Sequence, residues 1–205
     1  MNFQGPWRRL ALAAAGFVLA AAMSGCVSAG HFVDGSLKDV EASQLKKTDP
    51  AHPVQLLFDF KTKGTDNTRA TELLRSRVAD QVKASSIFSE VSDKPVDGSG
   101  LLTIVVDNVP LTDNAASQGF ATGLTFGLKG SSITDGYICT ATYTAPGATQ
   151  AVTKQVHHAI ITTLGNSEEP KNAVKTDSTD AAVTLMLHQA VGNLLRDVSN
   201  DPNFK

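Results

Sequence analysis

An apolar stripe near the end of the chain constrains the fold more than any other feature of the sequence. Its members recur at helical spacing: Val183, Met186, Leu187, Ala190, Val191, Leu194 and Val198. Ser178 or Thr179 can cap the helix that this spacing predicts. A helix of this kind owes most of its stability to the packing of its apolar face. The chain therefore needs a sheet on which this helix can lie.

Alternating and continuous apolar runs predict that sheet. Residues 54–60 alternate between apolar and polar, which is typical of a strand with one buried face. Residues 101–109 are apolar on both faces in their middle, as in a central strand. Residues 137–143 and 152–164 flank the turn sequence APGATQ and predict a hairpin. A short strand within residues 86–93 completes the set.

A second helix is predicted directly after the first strand. Its apolar stripe consists of Ala70, Leu74, Val78 and Val82. Asp66 or Asn67 can cap it at its start. A right-handed crossover through this helix sets the strands on either side of it parallel. The sequence thus predicts an α+β fold: a single two-layer domain over residues 54–205, with a mixed sheet of about five strands and two helices on one face.

The first residues of the chain carry a targeting signal. Residues 7–9 (WRR) precede an apolar run at residues 10–22, about 13 residues long and too short for the roughly 20 that span a bilayer. Residues 23–26 then read MSGC. This segment resembles bacterial lipoprotein precursors, whose four-residue lipobox ends in a cysteine, here with Met in place of the commoner Leu. The alternative is an ordinary cleaved signal peptide followed by a chance cysteine.

The resemblance implies that residues 1–25 are a signal peptide and that Cys26 carries a diacylglycerol thioether. It also implies a further acyl chain, such as palmitate, on the new amino group. Two or more acyl chains hold a protein stably on a membrane without a transmembrane helix. In the lipoprotein family, Asp directly after the cysteine favours retention in the inner membrane, whereas this chain has Val27. The resemblance therefore implies an outer-membrane location, and we expect the periplasmic face.

The segment after the lipobox is polar and mixed in composition. Residues 26–53 show no sustained period, and we expect them to form a lipidated flexible tether. About 25 flexible residues reach roughly 25 to 30 Å. The predicted domain can therefore stand off the membrane or lie against it.

A glycine-rich segment interrupts the predicted strands at residues 112–136. Gly119, Gly123 and Gly127 recur within it at every fourth position, and a connection this long is more often functional than passive. Three interpretations stay open: a strand extension that covers the sheet edge, a loop that binds an envelope protein, or a segment that dips into the leaflet beside the anchor. In both functional interpretations the contacting side chains are Phe120, Leu124, Phe126 and Leu128.

Composition and motifs exclude several classes of function. The formal net charge of -2 provides no basic surface for a nucleic acid. The sequence contains no G-x-S-x-G, Walker, H-E-x-x-H or paired-cysteine zinc motif, so we expect no catalytic residue, no metal and no cofactor. His157 and His158 point to opposite faces of a strand and cannot chelate one ion together. His158 is predicted to be a core histidine and Cys139 a small buried residue, with the reactivity of that thiol left open.

The order of predicted elements behind a lipobox resembles that of small envelope-assembly lipoproteins, in topology and location rather than in a shared motif. This resemblance leads to the hypothesis of a non-enzymatic outer-membrane lipoprotein that acts as a periplasmic interaction or envelope-assembly module. It would contact the membrane through Cys26 and an envelope protein through residues 112–136. The alternative is a lipoprotein that binds a small apolar or glycan ligand between the sheet and that loop.

Overall fold

The computed structural model of the chain describes residues 29–47, 50–111, 132–165 and 167–205. Its strands are β1 (Ala29–Asp34), β2 (Val54–Thr62), β3 (Thr65–Asp66), β4 (Val91–Ser92), β5 (Gly100–Pro110), β6 (Ser132–Thr144), β7 (Ala151–Leu164) and β8 (Ala173–Thr176). Its helices are α1 (Thr68–Ser85) and α2 (Thr179–Ser199), and a short 3-10 helix lies at Ala42–Gln44.

The strands form one mixed sheet in the order β3-β2-β5-β6-β7-β1-β8, with β4 also paired to β2. β2 runs parallel to β4 and β5, while the other pairs are antiparallel. The predicted α+β class and the parallel crossover are confirmed. The sheet has 8 strands rather than about five. The strands missed in the sequence, β1, β3 and β8, are too short for their alternation to be recognised.

Both helices pack on one face of the sheet and close an apolar core. Leu56 and Phe58 of β2 are buried in this core. Val78 of α1 and Leu194 of α2 belong to the same core. The neighbouring Leu57 points to the opposite face and is 38% exposed. The alternation of β2 therefore sorts its side chains as predicted, and the molecule has two layers.

One end of the sheet gathers several chain segments, and we refer to it as the upper end. It is defined by Ala29, Pro110, Ser132 and Leu164: Ala29 pairs with Leu164, Ser132 with Thr163, and Pro110 with Asp135. Both helices begin there. The turn between β6 and β7, at residues 145–150, lies at the opposite, lower end.

Capping side chains fix the starts of both helices, as the sequence predicts. The Asn67 side chain accepts a hydrogen bond from the Ala70 amide, and the Ser178 hydroxyl accepts one from the Ala181 amide, each at 3.1 Å. The Thr71 hydroxyl accepts a hydrogen bond from the Phe60 amide at 2.8 Å. This last bond ties the first turn of α1 to the end of β2 and so sets where the helix enters.

The expectation of a flexible tether over residues 26–53 is wrong from Ala29 onward. Residues 29–34 form β1, which pairs with β7 on one side and β8 on the other, and Val33 is fully buried. Leu37 and Leu45 pack against the core, and the Asn193 side chain donates a hydrogen bond to the Lys38 carbonyl at 2.9 Å. The folded domain therefore includes residues before Val54, from Ala29 onward, because strand pairing satisfies the backbone hydrogen bonds of this polar segment.

The predicted loop over residues 112–136 is also shorter than expected. Its last five residues, 132–136, belong to β6 and pair with β7. Gly136 lies opposite Ala159 in that ladder, so a glycine does not interrupt the strand. Residues 112–131 lie outside the described part of the chain.

Candidate functional site

An apolar groove lies between the two helix starts, near the upper end of the sheet. Its volume is about 410 Å³. It is lined by Phe60, Ala70, Leu73, Leu74, Tyr137, Thr179, Asp180 and Val183. Most of these side chains are apolar. A groove of this composition binds apolar side chains or apolar ligands more readily than charged ones.

The floor of the groove comes from the sheet. Phe60 is the last apolar residue of the β2 alternation, and Tyr137 occupies the matching face of β6. Their rings meet edge to face, with centroids 6.4 Å apart. Both side chains are at most 8% exposed, so the floor is well packed and rigid rather than a gap in the core.

The wall of the groove includes an exposed leucine. Leu73, beside the buried stripe of α1, is 65% exposed, whereas its neighbour Leu74 is 5% exposed. Across the groove stands Val183, from the first turns of α2. An exposed large apolar side chain that borders an apolar groove is typical of a surface that becomes covered on binding.

A polar contact at the rim joins the middle of α1 to the first turns of α2. The Arg77 guanidinium donates to the Thr184 hydroxyl at 2.7 Å and to the Asp180 carboxylate at 2.8 Å. Arg77 thus connects α1 to α2 beside the groove. The charge of Asp180 already has a partner on the protein, so the polar rim does not call for a cationic ligand.

Two ionisable side chains line the groove, the Tyr137 phenol and the Asp180 carboxylate. Burial, with smaller effects from Asp135 and Cys139, raises the pKa of the Tyr137 phenol well above its usual range. The phenol is therefore protonated at neutral pH and does not act as a nucleophile there. Asp180 supplies the carboxylate of the lining, and it is bound to Arg77.

The histidine predicted to lie in the core is fully buried. The Nδ1 atom of His158 accepts a hydrogen bond from the Ala159 amide at 3.1 Å, and Nε2 lies 2.9 Å from Oε1 of Gln189. These contacts place the proton on Nε2. Burial lowers the pKa of His158, while the bond to Gln189 and the nearby Asp34 act in the opposite direction. The ring is a neutral structural group.

The remaining candidates from the sequence fall outside the groove. Cys139 is fully buried, and burial raises the pKa of its thiol to about 12, so the prediction of a small buried residue is confirmed. His157 lies half-buried on the opposite face of β7 from His158. The predicted lipid site, Cys26, and the predicted contact residues lie outside the described part of the chain; those contact residues are Phe120, Leu124, Phe126 and Leu128.

Neither a metal-binding cluster nor a membrane-spanning helix is found in the described residues, 29–47, 50–111, 132–165 and 167–205. No group of three or more histidine, cysteine or acidic side chains in these ranges is arranged to hold a metal ion. No helix within them combines the length and hydropathy that crossing a membrane requires.

Sequence reasoning missed the groove because its lining comes from four separate elements. In the sequence, Leu73 is an apolar residue beside the helical stripe of Ala70, Leu74, Val78 and Val82, and Tyr137 begins a predicted strand. The alternation and the stripe indicate which residues face inward, but not where two helix starts leave a gap above the sheet. The one sequence feature that points to the groove is Leu73, an apolar residue outside the buried stripe of its helix.

Comparison with known proteins yields distant structural similarities. No protein-family model and no curated protein sequence matches the chain. Among solved structures, a PelC dodecamer from Paraburkholderia phytofirmans is 10% identical, with 85% of this chain and 99% of that chain covered and a TM-score of 0.36. The rare lipoprotein B from Shewanella oneidensis is 12% identical, with 71% and 92% covered and a TM-score of 0.35. These TM-scores are too low to transfer a function.

Proposed function

We propose that this chain is a non-enzymatic outer-membrane lipoprotein that presents a two-layer binding domain to the periplasm. The lipobox at residues 23–26 supports the anchor at Cys26. The observation that supports binding is the apolar groove, with Leu73 65% exposed at its wall. The partner is an envelope protein that inserts an apolar side chain between the helix starts.

The position of the groove agrees with the contact segment expected from the sequence. Residues 112–131 follow Leu111, the residue after β5, and precede Ser132 at the start of β6. Tyr137, in the groove floor, pairs with Asn108 near that same end of the β5–β6 ladder. A partner that contacts the glycine-rich segment can therefore contact the groove as well. In the proposal, Phe120, Leu124, Phe126 and Leu128 contact the same partner.

Photo-crosslinking in intact cells tests the groove as a protein contact. A benzoylphenylalanine at Leu73 is expected to give one discrete protein adduct. The matched control is the same probe at Leu57, an exposed leucine on the opposite face of the sheet, from which we expect no such adduct. Probes at Phe120 and Phe126 should reach the same partner.

A substitution makes this test specific to the groove. For this test the probe is moved to the exposed Thr179 at the rim. Leu73→Asp should then abolish the adduct, because an apolar side chain of the partner that enters the groove would bury the new carboxylate away from water, which is unfavourable. Leu73 is largely exposed, so the substitution leaves the folded state intact. Equal adducts from Leu57 and Leu73, or an adduct that survives Leu73→Asp, would rule out the groove as the contact.

A second function is favoured by the size of the groove. A volume of about 410 Å³ falls in the range of small-molecule sites, roughly 300 to 1,000 Å³. The protein would then bind a small apolar molecule there. Native mass spectrometry of the purified protein separates the two functions. A co-purified mass that disappears in Leu73→Asp supports the ligand, and its absence together with a protein adduct supports the partner.

A further inference from the structure

The folding of β1 into the sheet fixes where a lipid anchor lies. Ala29, the first residue of β1, pairs with Leu164 at the upper end of the sheet. Cys26 precedes Ala29 by three residues. A fully extended chain advances at most about 3.6 Å per residue, so Cys26 lies within about 11 Å of Ala29. A lipid on Cys26 therefore holds the upper end of the domain close to the membrane.

Two apolar side chains are exposed at the same end. Ile133 of β6 is 56% exposed and Leu164 of β7 is 36% exposed. Ile133 pairs with Thr162, so Ile133 and Leu164 are diagonal neighbours on the face of the sheet that carries the helices. Together they make a small apolar surface beside the start of β1.

The helices do not extend far enough to cover this surface. The Thr179 hydroxyl, in the first turn of α2, lies 3.5 Å from Nδ1 of His31. His31 pairs with Thr162, and the pair Ala29 and Leu164 lies two residues further toward the upper end. α2 therefore begins below the level of Leu164. The side chains of Ile133 and Leu164 therefore lie at the edge of the helical layer, beyond the packed core, and are exposed.

We propose that the upper end of the sheet docks on the phospholipid surface, with Ile133 and Leu164 in contact with the boundary between head groups and acyl chains. This inference rests on the proposed lipidation of Cys26. The bilayer is the occupant because the anchor brings it within about 11 Å, and apolar side chains next to an anchor add affinity in proportion to the area they bury. The docked orientation also keeps the apolar groove, beside the same end, near the membrane.

Fluorescence quenching from the membrane tests the orientation. The full lipidated protein is reconstituted in vesicles of phosphatidylethanolamine and phosphatidylglycerol that carry a quencher in the acyl region. A fluorophore is attached to Ile133→Cys or, as the matched control, to Ala148→Cys in the exposed β6–β7 turn. Cys139 is fully buried and is not labelled. A strand rises about 3.3 Å per residue, so the length of β6 separates the two labels by roughly 40 Å.

The docked orientation predicts loss of most of the fluorescence at residue 133 and no change at residue 148. A second variant tests the role of the short connection. A Gly-Ser linker of about 20 residues, with a reach of roughly 25 Å, is inserted between Ser28 and Ala29. The linker is expected to restore much of the fluorescence at residue 133, while the protein stays anchored.

The outcomes separate a failure of docking from a failure of the anchor. Equal quenching at residues 133 and 148 in an anchored protein overturns the docked orientation and leaves the proposed function intact. Quenching at residue 133 that survives the linker supports docking through the apolar side chains themselves, and Leu164→Asp, which leaves the label at residue 133 in place, should then remove it. If the protein carries no lipid on Cys26 and stays in the soluble fraction, both proposals are overturned.

Discussion

At the scale of single residues, the buried His158 makes the stability of the core depend on pH. The neutral ring uses both nitrogens: one accepts from the Ala159 amide, and the other donates to Gln189. Gln189 in turn accepts through its backbone carbonyl from the Asn193 side chain, which also reaches the Lys38 carbonyl. A proton added to Nδ1 has to break the bond to the Ala159 amide. The core therefore resists protonation of this histidine.

The lowered pKa of His158 makes the free energy of unfolding depend on pH. The unfolded chain binds a proton near pH 6.5 and the folded chain only at lower pH. Stability is therefore complete above about pH 6.5 and falls below it, by at most about 1.4 kcal/mol per pH unit. Urea unfolding at pH 7.5 and 5.5 measures this effect as a lower midpoint at pH 5.5.

One substitution tests whether His158 causes this pH dependence, and a second serves as its control. His158→Gln should flatten it, because the buried titrating group is gone, whereas His188→Gln on the exposed surface of α2 should leave it unchanged. An identical slope in wild type and His158→Gln would show that other groups account for the effect. Alternation in β7 predicted a buried histidine, but not Gln189 as its partner, since periodicity does not show which side chains meet across the core.

At the scale of elements, β1 shows the limit of prediction from pattern. Long elements such as α1, α2, β5 and β7 were predicted because their periods extend over many residues. β1 has 6 residues, and its pairing partners, β7 and β8, lie far away in the sequence. A mostly polar segment with only a few apolar residues cannot be distinguished from a tether by its sequence pattern, because the strands with which it pairs are not known from that pattern.

Gly35, directly after β1, provides a test of this element. Its amide donates to the Asn172 carbonyl at 2.7 Å, and a Cβ at this position would collide with that same carbonyl oxygen. The backbone oxygen cannot move aside without a shift of the β8 region, so Gly35→Ala should reduce the free energy of unfolding by about 1 to 3 kcal/mol. Thermal unfolding detects this as a lower Tm.

The neighbouring exposed Asp39 supplies the control for Gly35. Asp39→Ala lies in the same segment and should change the Tm little. If the segment were a flexible tether, both alanine variants would unfold at the wild-type temperature. Equal Tm values for wild type and Gly35→Ala would therefore contradict the packing of β1 and the turn that follows it.

At the scale of the whole molecule, the upper end brings together the features that bear on function. The first described residue, Ala29, and both flanks of residues 112–131 lie there. The apolar groove opens beside it, between the starts of the two helices. The two-layer architecture was predictable because it follows from the order of elements. The convergence at one end was not, since it depends on the β1 pairing.

The anchor on Cys26 is the central claim, because the proposed orientation of the domain and the proposed periplasmic location of the groove both depend on it. The most direct measurement is metabolic labelling with an alkyne analogue of palmitate, followed by membrane fractionation, for wild type and Cys26→Ala. Cys139, the other of the two cysteines, is buried and not an acceptor. We predict label and membrane association for wild type, and no label for Cys26→Ala. An unlabelled, soluble wild-type protein, or equal label on both proteins, would contradict the account.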